Sequence, residues 1–383
     1  MKCKLAHAAA LCLTPLLAAG PGRAEAPLSI AKQGYLFAGQ AYSTVDNNPM
    51  IHGQLYAEYQ IPAKVTHPYP VVMVEGGGQS GSNFTGTPDG RDGWAQYFLR
   101  HGYTVYVVDQ VGRGRSANWA EFYGKTGPQR ITFAEQRFVA PERYNLWPQA
   151  HLHTQWPGQK AEPGDPVFDQ FYAEQLPSIA DFAEQQKLNR AGLDALLDKI
   201  GPAILLTHSQ SGAFGWPVAD DRPTLVKALV QVEPSGPPVH DVDMIGAPDW
   251  FRDATDLKPW GLGFEPLAYA PALSDPKELQ FIRQDKADGP DETRCWAQAA
   301  PARQLPNLQK MPILIVTSEA SYHAPYDHCT VAYLQQAGVH PTWMQLAKIG
   351  IHGNNHMMML EKNNQQIAAA MVGWLNTTVR TKK

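Results

Sequence analysis

Residues 203–212 read Ala-Ile-Leu-Leu-Thr-His-Ser-Gln-Ser-Gly, an apolar strand that runs directly into a serine flanked by small residues. A serine hydroxyl is a poor nucleophile unless a base stands beside it. A sharp strand-to-helix turn lifts the oxygen toward such a base and leaves the next backbone N–H free to receive negative charge. The turn is strained and accepts only small residues two places to either side, here Thr207 and Ser211 around Ser209, with Gly212 following. Few folds present a strand end in this way, so the stretch restricts the architecture as well as the chemistry.

The surrounding pattern agrees with a sheet covered on both faces. Three β-rich stretches, around 28–37, 53–61 and 70–74, open the region after the first two dozen residues. Val71-Val72-Met73-Val74 is a continuous apolar run, as expected of a strand buried on both sides. It leads into Glu75-Gly76-Gly77-Gly78, then a helix around 94–100 and a strand over 104–108. Helical spacing returns at Leu193, Leu196, Leu197 and Ile200, and Gly201-Pro202 ends it. Further strands are expected at 228–232, 313–316 and 342–346, and a last helix carries Leu360, Ile367, Met371 and Trp374 on one face. The alternation predicts an α/β fold with a mostly parallel, doubly covered sheet.

Two stretches break the alternation. Residues 117–170 hold many aromatics and two histidines, His151 and His153, with little periodicity; residues 236–305 are rich in proline and include Trp250, Trp260 and Trp296. Long irregular segments inside a compact domain are often functional. The second reads as a cap over a site and the first as part of its rim.

The 383 residues, 44% hydrophobic and 18% charged, suffice for one large core, and a net charge of −4 gives no basic footprint for nucleic acid. Lys2 and Lys4 precede an apolar run from Leu5 to Ala19 and a small-residue region ending near Ala24, the pattern of a bacterial-type export signal over residues 1–24. That run is short for a membrane span, and no later one approaches the length needed, so a periplasmic or secreted location is expected. Cys3 and Cys12 fall within the signal. Cys295 and Cys329 remain, most simply one disulfide in an oxidising compartment, the alternative being two separate buried thiols.

A Gly-rich loop at 76–78, Asp109-Gln110-Val111-Gly112-Arg113-Gly114-Arg115-Ser116, Thr207-His208-Ser209-Gln210-Ser211-Gly212 and a late Gly353-Asn354-Asn355-His356 follow one another in an order that resembles the α/β-hydrolases. The resemblance runs from about residue 50 to the end, insertions apart, and is greatest to secreted bacterial serine esterases whose triad acid is a Glu after the sixth strand. It implies Ser209 as nucleophile, preceded by a matching His208, with Ser211 as the competitor. It implies His356 as base, with His352 four residues earlier as the competitor. The acid expected after the seventh strand in most of the family would fall at Ser321, which carries no charge. Glu233, at the end of the sixth strand, takes that role, with Glu319 and Asp327 in reserve; a carboxylate there is costly unless hydrogen-bonded, and an imidazole N–H supplies the bond.

For the oxyanion the resemblance implies the N–H groups of Gln210 and Gly77, although Glu75-Gly76 replaces the usual His-Gly pair. The expected substrate is a small-molecule ester, with no metal or organic cofactor. His151-x-His153, and His323 with Asp327-His328, lack the spacing of a zinc site and read as solvated loop residues. The 109–116 segment reads as structural. Acyl transfer, amide cleavage, lyase chemistry or non-catalytic binding on the same scaffold stay open, because fold alone does not fix reaction.

Overall fold

The computed structural model describes residues 26–379; the export signal expected over 1–24 lies outside them. At the centre is an eight-stranded sheet of β1 (Ile30–Ala38), β2 (Leu55–Pro62), β3 (Val71–Val74), β4 (Val105–Asp109), β5 (Ala203–His208), β6 (Val226–Val232), β7 (Ile313–Thr317) and β8 (Thr342–Gln345). In space they run β1-β2-β4-β3-β5-β6-β7-β8. β1 pairs antiparallel with β2, and β2 antiparallel with β4; every pairing from β4 to β8 is parallel. The mostly parallel sheet expected from the alternation is therefore present, and its strands fall within a residue or two of the expected places.

Alternate residues of a strand face opposite sides, and β3 divides accordingly. Val71 and Met73 join a cluster with Trp94, Phe98, Ile367, Met371 and Leu375, carried by α1 (Trp94–Arg100) and α5 (Asn364–Thr378). Val72 and Val74 join a second cluster with Leu193, Leu197, Phe214, Val218 and Leu334, carried by α2 (Phe182–Ile200), α3 (Gly212–Asp221) and α4 (Asp327–Gln336). Each side chain moved fully out of water in these layers contributes about 1.5–3 kcal/mol, which explains why β3 and the Ala203–Leu206 part of β5 are apolar without interruption. α2 ends at Ile200 as the spacing predicted, with Gly201 at φ +83°. Leu360, in contrast, lies ahead of α5 in a turn. The helical spacing does not reach back across the loop, which packs Met357, Met358 and Met359 into the core.

The two irregular stretches add no strand to the central sheet. The first is a chain of short helical turns, one of them a π-helical turn at Glu135–Val139. The second carries two antiparallel hairpins, His240–Gly246 with Trp250–Leu257 and Phe281–Arg283 with Trp296–Gln298. Cys295, just before the last of these strands, is disulfide-bonded to Cys329 in α4. Among the described residues no helix is long and apolar enough to cross a membrane.

Candidate active site

β5 delivers its chain into a turn with Ser209 at φ +54°, a backbone region that residues with a side chain seldom adopt. Several contacts hold it there. The Ser211 hydroxyl accepts from the His208 N–H at 2.9 Å and lies 2.9 Å from the carbonyls of both Val74 and His208. Ser211 is fully buried, and these contacts occupy it entirely in locking the turn, whereas Ser209 is half-buried and borders a cavity. Gly212 lets α3 lie against the turn after β6: a Cβ there would come within 2.5 Å of Pro234 Cα. Pro217 sits inside α3 without ending it. It lacks the N–H that the Ala213 carbonyl would accept, and the Gln186 side-chain amide donates to that carbonyl instead, at 2.5 Å.

Glu233 follows β6 at φ +45° and is fully buried. His356 Nδ1 donates to its Oε2 at 2.6 Å, and the Ser321 hydroxyl donates to the same oxygen at 2.7 Å. Oε1 accepts from the Ser318 N–H at 2.8 Å and from the Ser318 hydroxyl. Ser321, which carries no charge of its own, thus helps to satisfy the buried carboxylate of Glu233. The reserves are committed elsewhere. Glu319 meets His352 at 3.1 Å and the Gly353 N–H at 2.8 Å, while Asp327 meets His323 Nδ1 at 2.9 Å and the Thr317 hydroxyl at 2.6 Å.

The His356 ring lies between Phe138 and His323, with centroids 5.5 and 4.8 Å away and planes 17° and 8° apart. Its carbonyl accepts from His208 Nε2 at 3.1 Å, which fixes the loop to the strand end. Burial first, then the neighbouring His323 and Arg137, oppose a positive charge on this ring and hold its pKa well below the ordinary histidine value. A neutral imidazole that donates from Nδ1 has a free lone pair on Nε2. Toward that nitrogen comes a residue the sequence did not single out: the Tyr322 hydroxyl, 3.0 Å away, whose other partner is the Ser209 side chain. Ser209 and His356 are therefore gathered around one phenol. Among the described residues no hydrogen bond joins them directly.

The loop after β3 packs tightly against the same turn. A Cβ on Gly76 would meet His208 Nδ1 at 2.8 Å and Ser209 Cβ at 3.1 Å, so only glycine fits. Gly77 lies next to the Gln210 side chain. Buried Arg113, in the segment read as structural, spans the two: it donates to the Gly76 carbonyl at 2.7 Å and to Gln210 Oε1 at 2.9 Å. Its charge faces Glu75 at 3.8 Å. Burial pushes the Glu75 carboxyl up to about 8, against the pull of Arg113.

His153 and His323 correct the expectation of solvated loop histidines, because both are buried and paired. His153 bridges Glu142 at 2.9 Å and Glu361 at 2.8 Å. Burial alone would lower its pKa, but the two carboxylates outweigh burial and hold it at about 9. Glu361 also accepts from the Asn355 N–H at 3.0 Å and from Asn354 Nδ2 at 2.7 Å, so it ties down the loop that carries His356. His151 is exposed, as expected. The side chains of Cys295, His328 and Cys329 come close enough to hold a cation, as do those of Glu233, His323 and His356. In the first group both sulfurs are spent in the disulfide; in the second both Nδ1 atoms are engaged by carboxylates.

Above Ser209 opens a cavity of about 260 Å³, walled by Phe133, Phe182, Phe214 and Phe264 and bordered by Arg137 and Tyr322. Both irregular stretches contribute to it. Their tryptophans do not: Trp147, for example, is fully buried, packs edge-on against Tyr322 and donates to the Ala320 carbonyl at 3.0 Å.

The strand order, the turn after β5 and the loops that converge on it define a class, and the chain belongs to the alpha/beta hydrolase fold family, whose model matches residues 69–262. It is 44% identical over 322 residues, 84% of this chain and 85% of the other, to a protein named "Probable secreted lipase phiG" from Fungal sp. (strain ATCC 74256). Among solved structures it is similar to one described as a novel bacterial esterase, with a TM-score of 0.62 and 24% identity over 94% of this chain and 100% of that one. At that identity the likeness speaks for the fold.

Proposed function

We propose that this chain is an exported serine hydrolase that cleaves carboxylic esters through an acyl-enzyme. Ser209 attacks the ester carbonyl as His356 Nε2 takes its proton; His356 then delivers that proton to the leaving alkoxide, and a water repeats the sequence on the acyl-enzyme. Glu233 fixes the tautomer and stabilises the imidazolium. The N–H groups of Gln210 and Gly77 receive the oxyanion. Ser209 must turn from the Tyr322 phenol to His356 as substrate seats; such catalytic bonds often tighten only then.

The reading is carried by one observation: a buried imidazole whose Nδ1 is bound by a buried carboxylate at 2.6 Å and whose Nε2 lies 3.0 Å from the Tyr322 hydroxyl, the group that also meets the Ser209 side chain. Export is supported by the sequence pattern of residues 1–24 and by the relative's name. The 117–170 and 236–305 segments act as rim and cap. A chromogenic short-chain ester should be turned over with a burst equal to the enzyme concentration, and a fluorophosphonate should label Ser209. Ser209→Ala should lose about 10³-fold or more in kcat; normal turnover by that variant would sink the proposal.

A further inference from the structure

We infer that Arg137 is an anion-recognition residue and that the preferred ester carries a carboxylate in addition to the bond that is cleaved; the inference rests on the serine-esterase reading above. Arg137 borders the same cavity as Ser209. Its guanidinium lies 5.1 Å from the centre of the Tyr322 ring and 5.9 Å from that of Trp147. The Tyr322 hydroxyl is in turn 3.0 Å from His356 Nε2, so the cation stands one aromatic ring away from the reacting groups.

Arg115, Arg190 and Arg222 each meet a carboxylate. Among the described residues Arg137 meets none, and none of them accepts a hydrogen bond from its side chain. Half-buried over Tyr322 and Trp147, it keeps five N–H donors in a fork that matches a carboxylate. The other cation of the cavity, Lys258, is neutralised by Asp241 and hydrogen-bonds the Pro237 carbonyl at 2.8 Å. The cavity thus presents one uncompensated guanidinium among phenylalanines and neutral polar groups such as Gln185 and Ser235, partly withdrawn from water, where a charge-assisted pair is stronger than at an exposed surface.

The residue is also held ready. It lies within the π-helical turn Glu135–Val139, a local geometry often found at functional sites. Its backbone carbonyl and that of Phe138 accept from Asn355 Nδ2 at 3.0 and 2.8 Å. Asn355 directly precedes His356, so the backbone that carries Arg137 and the loop of the proposed base share one anchor before substrate arrives.

Two matched pairs test this: monoethyl adipate against ethyl pentanoate, with the charge on the acyl side, and 4-acetoxybenzoate against 4-acetylphenyl acetate, with the charge on the leaving side. The readout is the ratio of kcat/KM for the charged over the neutral member. A charge-assisted contact predicts that in at least one pair this ratio falls about tenfold or more from wild type to Arg137→Gln, and that added salt lowers the wild-type ratio. Should the glutamine variant not fold, Arg137→Lys, which keeps the charge without the fork, is read by the same ratio and should still lower it. Ratios that stay constant in both pairs, even if all four rates drop together, would overturn the assignment. Ser209 labelling by a fluorophosphonate separates the two failures: an unchanged ratio in a labelled enzyme defeats only the carboxylate, and absent labelling defeats the esterase reading.

Discussion

Glu233 holds four hydrogen bonds, from His356, Ser321 and two groups of Ser318, which saturate the acceptor capacity of a carboxylate. Glu233→Gln would set an NH₂ donor against some of these donors and disturb the tautomer of His356; kcat should fall about 10³–10⁴-fold. Ser321 offers a sharper test. Its hydroxyl reaches the same oxygen as the imidazole, so an aspartate there would bring a carboxylate to His356 Nδ1. Glu233→Ala with Ser321→Asp should therefore recover activity over Glu233→Ala alone, measured as kcat on a short-chain ester. The acid limb of kcat/KM has a predictable sign as well. Because burial and the neighbouring His323 and Arg137 hold His356 below 6.5, the neutral base persists into mildly acidic solution, and activity should fall only as pH drops through a midpoint under 6.5.

At the scale of elements, the Gln186 amide does two jobs: it fills the bond Pro217 leaves open in α3 and accepts the Phe264 N–H from the cap at 2.6 Å. Gln186→Leu should orphan a buried carbonyl and cost about 1–3 kcal/mol in denaturant unfolding, with the cap side of the cavity loosened as well. The strands on which these elements rest are legible in the sequence because a doubly covered strand is apolar over most of its length, as β3 and the first four residues of β5 are. Ser209, Glu233 and His356 could be named because each follows a strand end where a loop turns over the sheet, and the structure brings all three to one edge. Arg113 stands in the 109–116 segment read as structural, whereas Tyr322 and Arg137 could not be singled out. Nothing in their local sequence distinguishes them, and their positions depend on contacts between segments far apart in the chain, such as Asn355 with the carbonyl of Arg137. The signal closest to finding Tyr322 was the missing Asp at 321, which marked that turn as unusual. Likewise His153 was misread because its partner Glu361 lies 208 residues away.

Over the whole molecule, the His153 pair joins the first irregular stretch to the loop before α5 and makes stability depend on pH. Its folded pKa of about 9 exceeds the ordinary 6.5, so its contribution is complete below 6.5 and is lost as pH rises through 9. Melting curves between these values should show a decline of up to about 3 kcal/mol that His153→Gln removes. The Cys295–Cys329 bond closes a 34-residue separation between cap and α4; replacing both cysteines by serine should lower stability by about 3–4 kcal/mol on a chain-entropy account. The Asn355 amide has a different consequence. It binds one wall of the cavity to the loop of the proposed base, so that wall cannot be rebuilt by insertion or deletion without dislodging the imidazole. Side-chain exchange at places such as Phe133 and Phe182, whose own backbone is not bonded to that loop, is therefore the less disruptive way to reshape the cavity.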